Sequence, residues 1–155
     1  MGKRTARDVM TTEIQTVGPD SSLEDIAQLL VAHHISSVPV VDGERRVLGM
    51  VSEADLIDEH KRKARIPRTA LFGLVPLPDD VLWEAARRGT VLTAVDLMTR
   101  RTVTATEETP VREVADLMVR HRINHIPVTR EGRLVGIVAR ADLVRELVRS
   151  EPENE

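Results

Sequence analysis

Apolar positions along the chain change period from helical to extended and back, and each change is bounded by capping or turn residues. Leu23, Ile26, Ala27, Leu30 and Val31 share one face of a 3.6-residue period and predict an amphipathic helix. Ser21, with Glu24 three residues on, predicts a capping box at its start. Two extended runs follow, Ser37 to Val41 and Val47 to Val51. The Asp42-Gly43 turn between them predicts a hairpin whose loop is longer than two residues. A last helix starts near Ser52 and runs through Leu56 and Ile57. Ahead of all this, a short helical turn surrounds Asp8-Val9-Met10 and an extended piece runs from Ile14 to Val17. The unit reads β-α-β-β-α with a helical turn leading in.

The same order returns a second time. Thr5-Ala6-Arg7-Asp8-Val9-Met10-Thr11 recurs as Thr93-Ala94-Val95-Asp96-Leu97-Met98-Thr99, a shift of 88 residues. That shift carries Leu23, Ile26, Ala27 and Leu30 onto Val111, Val114, Ala115 and Met118, and Val38-Pro39-Val40 onto Ile126-Pro127-Val128. After one deletion in a turn, Gly49-Met50-Val51 matches Gly136-Ile137-Val138, and Asp55-Leu56 matches Asp142-Leu143. In the second copy Thr109 is expected to cap and Pro110 to take the first helical position, where its missing N–H costs nothing. Spacing kept over so long a stretch marks an internal duplication. One unit, with a two- or three-stranded sheet and few core residues, is too small to stand alone. Two packed face to face bury both apolar surfaces, and the expected fold class is α+β.

Composition narrows the chemistry. Of 155 residues, 41% are apolar and 30% charged, an ordinary globular mixture. A net charge of −3 argues against a broad electrostatic grip on nucleic acid. With one Trp, one Phe and no Tyr, base stacking on aromatic platforms is almost unavailable. A purine bound here sits between aliphatic side chains and is read by backbone groups. The lack of cysteine removes disulfides, thiolate metal sites and thiol nucleophiles. No apolar run approaches the roughly 20 residues that span a bilayer. The opening residues are not followed by the apolar stretch of a secretion signal, so a cytoplasmic location is expected.

The duplicated set resembles the CBS domain, the module named after cystathionine beta-synthase. The likeness rests on Asp8-Val9-Met10-Thr11, the helix from Leu23 to His34, Val38-Pro39-Val40-Val41-Asp42 and Gly49-Met50-Val51-Ser52-Glu53-Ala54-Asp55-Leu56, each with its counterpart in the second copy. It covers about residues 5–60 and 93–149. The resemblance implies two tandem CBS repeats packed with pseudo-twofold symmetry, two clefts between them, and pairing of two such modules into a disc-shaped homodimer. Adenosine compounds such as AMP, ADP, ATP and S-adenosylmethionine are the ligands it implies, as regulators and not as required cofactors. The catalytic barrel that accompanies CBS pairs in inosine monophosphate dehydrogenase has no room in this chain.

Site residues follow from that resemblance, weighed against plainer readings. Gly49-x-x-Ser52-x-x-Asp55 also reads as a capping box. The resemblance instead makes the Asp55 carboxylate an acceptor for both ribose hydroxyls, which suits its two oxygens. In the second copy Asp142 remains but Ala139 replaces the hydroxyl residue, so the Asp142 cleft is expected to be the weaker or altered one. Each cleft is expected to mix the copies. Ser52 and Asp55 would face Val103, Ile123, Asn124 and His125, with Met50 against the base. Ala139 and Asp142 would face Gln15, Ile35, Ser36 and Ser37, with Ile137 against the base. A proline within a strand, as at Pro39 and Pro127, predicts an edge position whose free backbone groups read the adenine. His125, whose counterpart is the uncharged Ser37, is the phosphate candidate and favours the Asp55 cleft for a phosphorylated ligand. Arg140 is either a phosphate contact or an exposed helix-end arginine. His33 and His121 hold equivalent helix-end positions and read as structural. Without clustered histidines no metal site is expected.

The expected organisation is a first repeat over 5–63, an insert over 64–92 with a helix near 80–88, a second repeat over 93–149 and an acidic tail over 150–155. The run Lys61, Arg62, Lys63, Arg65 and Arg68 reads as a solvated face or as a contact for polyphosphate or an acidic partner. Phe72 and Trp83 fill a core, or serve a dimer contact or lid. Three functions compete. A nucleotide sensor working by conformational change leads, a ligand-free dimerisation or protein-interaction scaffold follows, and an enzyme is unsupported because no nucleophile–base pair or phosphate loop appears. Neither nucleic acid nor a membrane is an expected partner, and the regulated protein target is not named by the sequence.

Overall fold

The structure is a computed structural model that describes residues 4–58 and 92–150. The expected helix near 80–88, the basic run from Lys61 to Arg68, Phe72, Trp83 and the residues after 150 lie outside the described residues. The first copy contributes α1 (Ala6–Val9), α2 (Leu23–His33), β1 (Ser37–Val41), β2 (Val47–Ser52) and α3 (Glu53–Ile57). The second contributes α4 (Ala94–Leu97), β3 (Ala105–Thr106), α5 (Val111–His121), β4 (His125–Arg130), β5 (Arg133–Ala139) and α6 (Arg140–Ser150). The helices and the hairpin strands fall where the periodicity predicts, and the chain is α+β.

The expected first strand is reduced. In the second copy β3 pairs in parallel with β4, Ala105 opposite Val128, and β4 pairs antiparallel with β5. In the first copy the stretch from Ile14 shrinks to one parallel bridge between Val17 and Val40, beside the two-stranded β1-β2 sheet. The edge position expected for Pro127 is corrected, since β4 is the middle strand of three. The sheet tolerates it because the register with β3 begins only at Val128, one residue past the proline.

The described residues form two compact units, and these are not the two copies. One takes 4–15, 41–47 and 101–150, the other 16–40, 48–58 and 92–100. In the first of these, Ala105, Val114, Met118, Ile126, Val128 and Val138 form a core completed by the fully buried Ala6 of α1, with Val9 and Met10 packed against it. In the second, Val17, Ile26, Leu30, Val38, Val40 and Val51 are completed by Ala94 and Leu97 of α4, with Met98 against them. Each copy's lead-in helix therefore belongs to the core built by the other copy. A four-residue helix has no stability of its own, so this docking is what forms it.

The backbone bonds that dock the two lead-in helices correspond one for one. Ala6 N–H donates to the Thr109 carbonyl at 2.8 Å, Arg7 N–H to Glu107 at 3.1 Å, and Val111 N–H to Arg4 at 3.0 Å. In the other unit Ala94 N–H donates to Ser21 at 2.9 Å, Val95 N–H to Pro19 at 3.1 Å, and Leu23 N–H to Leu92 at 2.9 Å. This docking moves the helix caps. The Ser21 carbonyl is taken by Ala94, and the Ser21 hydroxyl accepts from Gly18 N–H at 3.1 Å. Ser22, not Ser21, caps α2, accepting from Asp25 N–H at 3.1 Å. Likewise Thr109 Oγ1 accepts from Thr106 N–H at 2.9 Å, and Pro110 stands at the cap position of α5.

Both amphipathic helices end alike. His34 and Arg122 adopt left-handed φ of 52° and 53°, and the N–H groups of Ile35 and Ile123 reach back to the Leu30 and Met118 carbonyls, at 3.1 Å in each case. Two ion pairs on buried carboxylates further fix α1. Arg4 Nη1 binds both oxygens of Glu146 at 2.7 and 2.6 Å, and Arg7 Nε donates to Glu107 Oε2 at 2.7 Å, with Arg130 paired to the other oxygen.

Candidate functional site

Two small constellations, one in each unit, occupy corresponding places where the hairpin runs into its following helix. In the first copy Ser52 ends β2 and caps α3. Ser52 N–H donates to Asp55 Oδ2 at 2.8 Å, the Ser52 hydroxyl donates to the same oxygen at 3.1 Å, and Asp55 N–H returns to the Ser52 hydroxyl at 3.4 Å. The plain capping-box reading of this motif is thus realised in full. In the second copy the box is halved. Ala139 has no hydroxyl, yet its N–H still donates to Asp142 Oδ2 at 2.7 Å. The carboxylate keeps its place because the backbone, not the hydroxyl, orients it.

The segments before the prolines lie against these helix starts. Glu53 N–H donates to the Ser36 carbonyl at 2.9 Å, and Arg140 N–H donates to the Asn124 carbonyl at 2.8 Å. A first-turn N–H has no acceptor within its own helix, and these carbonyls supply one. Ile35, Ser36 and Ser37 share a unit with Met50, Ser52 and Asp55, whereas Val103, Ile123, Asn124 and His125 share one with Ile137, Ala139 and Asp142. Gln15 is exposed and belongs to the same unit as Asp142.

His125 is a neighbour of Asp142. Opposite Ala139 in the β4–β5 register, it is half-buried; burial holds its pKa below the ordinary histidine value, and the Asp142 charge opposes that effect. Its counterpart Ser37 has a buried hydroxyl with no hydrogen-bond partner among the described residues. Met50 and Ile137 have their backbones engaged. Met50 exchanges both hydrogen bonds with Thr99, at 3.2 and 2.9 Å, and Ile137 does so with Thr11, at 2.8 and 3.0 Å. These bridges bring Met98 and Met10 over Gly49 and Gly136, where a Cβ would stand 2.7 and 2.3 Å from the respective sulfurs. The glycine of the motif thus admits the lead-in segment.

Arg145 escaped the sequence reading. Its guanidinium pairs with Asp142 Oδ1, three residues away on α6, and the Asp142 side chain is 8% exposed against 65% for Arg145. The i, i+3 spacing of opposite charges on a helix is the pattern that reveals it. Among the described residues no group of three metal-ligating side chains comes together, and no helix is long and apolar enough to cross a membrane.

Known proteins match this arrangement over most of the chain. The family model described as CBS domain matches residues 6–62 and 94–149. An uncharacterized protein of Methanocaldococcus jannaschii is 28% identical over 152 residues, 92% of this chain and 90% of its own length. Among solved structures, CBSX2 in complex with AMP, from Arabidopsis thaliana, aligns with a TM-score of 0.71 at 25% identity, covering 94% of this chain and 97% of its own. The CBS domain of a CBS domain-containing membrane protein from Sphaerobacter thermophilus aligns with a TM-score of 0.66 at 35% identity, covering 92% and 87%.

Proposed function

This chain belongs to the CBS domain family, as a tandem pair, and on that premise we propose that it binds an adenosine-type nucleotide and signals by conformational change. AMP, ADP, ATP and S-adenosylmethionine are the candidate ligands, acting as regulators of a protein target and not as cofactors of a reaction catalysed here. The observation that carries the reading is the duplicated carboxylate. Asp55 and Asp142 are each oriented by the N–H three residues earlier, at 2.8 and 2.7 Å. A carboxylate so oriented is preorganised to accept from a ribose diol. Ser52, Met50, Ile35 and Ser36 are further candidate contacts for the ligand. Ile137, Ile123, Asn124, Val103, His125 and Gln15 complete the set. Aliphatic neighbours and backbone groups are the means of holding a purine in a chain so poor in aromatics. The AMP complex of CBSX2 supports the ligand class.

Thermal unfolding with AMP, ADP, ATP, S-adenosylmethionine and NAD tests the proposal. A ligand at 100 times its Kd adds about 2.7 kcal/mol. Asp55→Ala and Asp142→Ala should each reduce the shift. Flat curves across the panel favour the second reading, a scaffold with vestigial sites. That reading draws on one observation, the burial of Asp142 and its pairing with Arg145.

We further propose a cytoplasmic homodimer, with repeat boundaries at 5–63 and 93–149. Val31 and Val119, at corresponding places on α2 and α5, are 75% and 80% exposed, a heavy apolar exposure for helix faces. Sedimentation equilibrium of wild type and Val119→Glu checks it, the variant shifting toward monomer.

A further inference from the structure

We propose that Arg145 makes the second copy's site selective for a phosphorylated ligand, as a counter-ion that passes from Asp142 to the phosphate when a ribose takes the carboxylate. The inference rests on the nucleotide-binding reading and assigns the ligand's charge. In the structure both Asp142 oxygens are engaged, Oδ2 by Ala139 N–H at 2.7 Å and Oδ1 by the Arg145 guanidinium. Because the carboxylate is only 8% exposed, a diol approaching Oδ1 competes there with the Arg145 guanidinium. The backbone N–H cannot leave without unwinding the helix start, but the guanidinium is on a long, 65% exposed side chain that can swing.

An uncharged adenosine would therefore break an ion pair on a carboxylate that is only 8% exposed and return nothing to the arginine. A phosphorylated adenosine offers the displaced guanidinium a new anion, with the forked geometry that arginine matches. Two further features set this site apart. The Asp142 carboxylate lies beside His125, which becomes a second donor to phosphate when protonated. The first copy carries the opposite charges, Glu53 and Asp58 standing where the second has Arg140 and Arg145. The two arginines at these positions thus distinguish the second copy.

Calorimetric titration of the full chain with AMP and with adenosine is the test, in an Asp55→Asn background that leaves only the second site to be read. Asp142 with Arg145 in place should bind AMP about 10-fold or more tighter than adenosine, the worth of one charged hydrogen bond. Arg145→Gln should tighten adenosine, weaken AMP and bring the two affinities together. Arg145→Lys keeps the charge and should keep a preference for AMP, so it reads the effect even if the glutamine variant folds poorly. An unchanged ratio in Arg145→Gln, or a preference lost equally in the lysine variant, overturns the proposal. AMP binding indifferent to Asp142→Asn, or no binding of either compound to the unmodified chain, instead overturns the nucleotide reading beneath it.

Discussion

At Gly49 an added Cβ would meet not only the Met98 sulfur but the Thr99 carbonyl oxygen, both at 2.7 Å. At Gly136 every close neighbour belongs to the Met10 side chain. A methionine can rotate away and a hydrogen-bonded carbonyl cannot, so the two equivalent glycines differ in tolerance. Gly49→Ala should cost about 1–3 kcal/mol in urea unfolding and Gly136→Ala less, with Met10→Ala partly rescuing the latter. Glu107 carries a different sensitivity. Its carboxyl is held below the ordinary 4.5, first by the hydrogen bond from Arg7 and then by Arg130, against the opposing effect of burial. A lowered folded-state pKa stabilises above the unfolded value and is lost as pH falls through the folded one. Unfolding followed from neutral pH down past 4.5 should show this loss, and Glu107→Gln should flatten it. At this scale the sequence was legible where spacing is local. Gly49-x-x-Ser52-x-x-Asp55 declared its capping box, but the residue for which the glycine makes room lies 49 positions away, at Met98, and no local pattern could name it.

The elements themselves were the most legible part, because apolar period follows directly from which face is buried. Their ends were less so. Ser21 and Thr109 have the right chemistry for caps, yet tertiary bonds to the lead-in segments claim the backbone around them and shift the cap by one residue. The left-handed ends at His34 and Arg122 carry no glycine to announce them. There His34→Gly and Arg122→Gly should each raise stability, by ~0.5–1 kcal/mol, since a side chain at positive φ is strained. Denaturant midpoints of the two single variants give the measurement. An edge position for Pro127 follows from the general behaviour of proline, yet its strand is the middle one of three. The actual exemption, a partner strand that starts one residue later, depends on register, and register is set by contacts between segments far apart.

For the whole molecule, the duplication was plain and so was the reason two units are needed. The exchange was not, since periodicity records which residues are buried and not which core receives them. Ala6, Ala94 and Leu97 are all fully buried, each in a core otherwise supplied by the other copy. A fragment holding a single copy keeps an unmatched lead-in helix and lacks the one it needs. Fragments ending before the insert and beginning after it should each show little cooperative unfolding. Mixed, they should regain the near-native circular dichroism of the intact chain. Fragments that fold independently would contradict the exchange.

The order of synthesis gives that exchange a consequence in time. Residues 4–11 emerge during translation long before the Glu107 and Glu146 carboxylates and the Ile137 backbone that hold them. Neither core can close co-translationally as its own copy appears, so the nascent chain carries unsatisfied apolar surface until late. A slow, long-range closing step is the expected signature of such a topology.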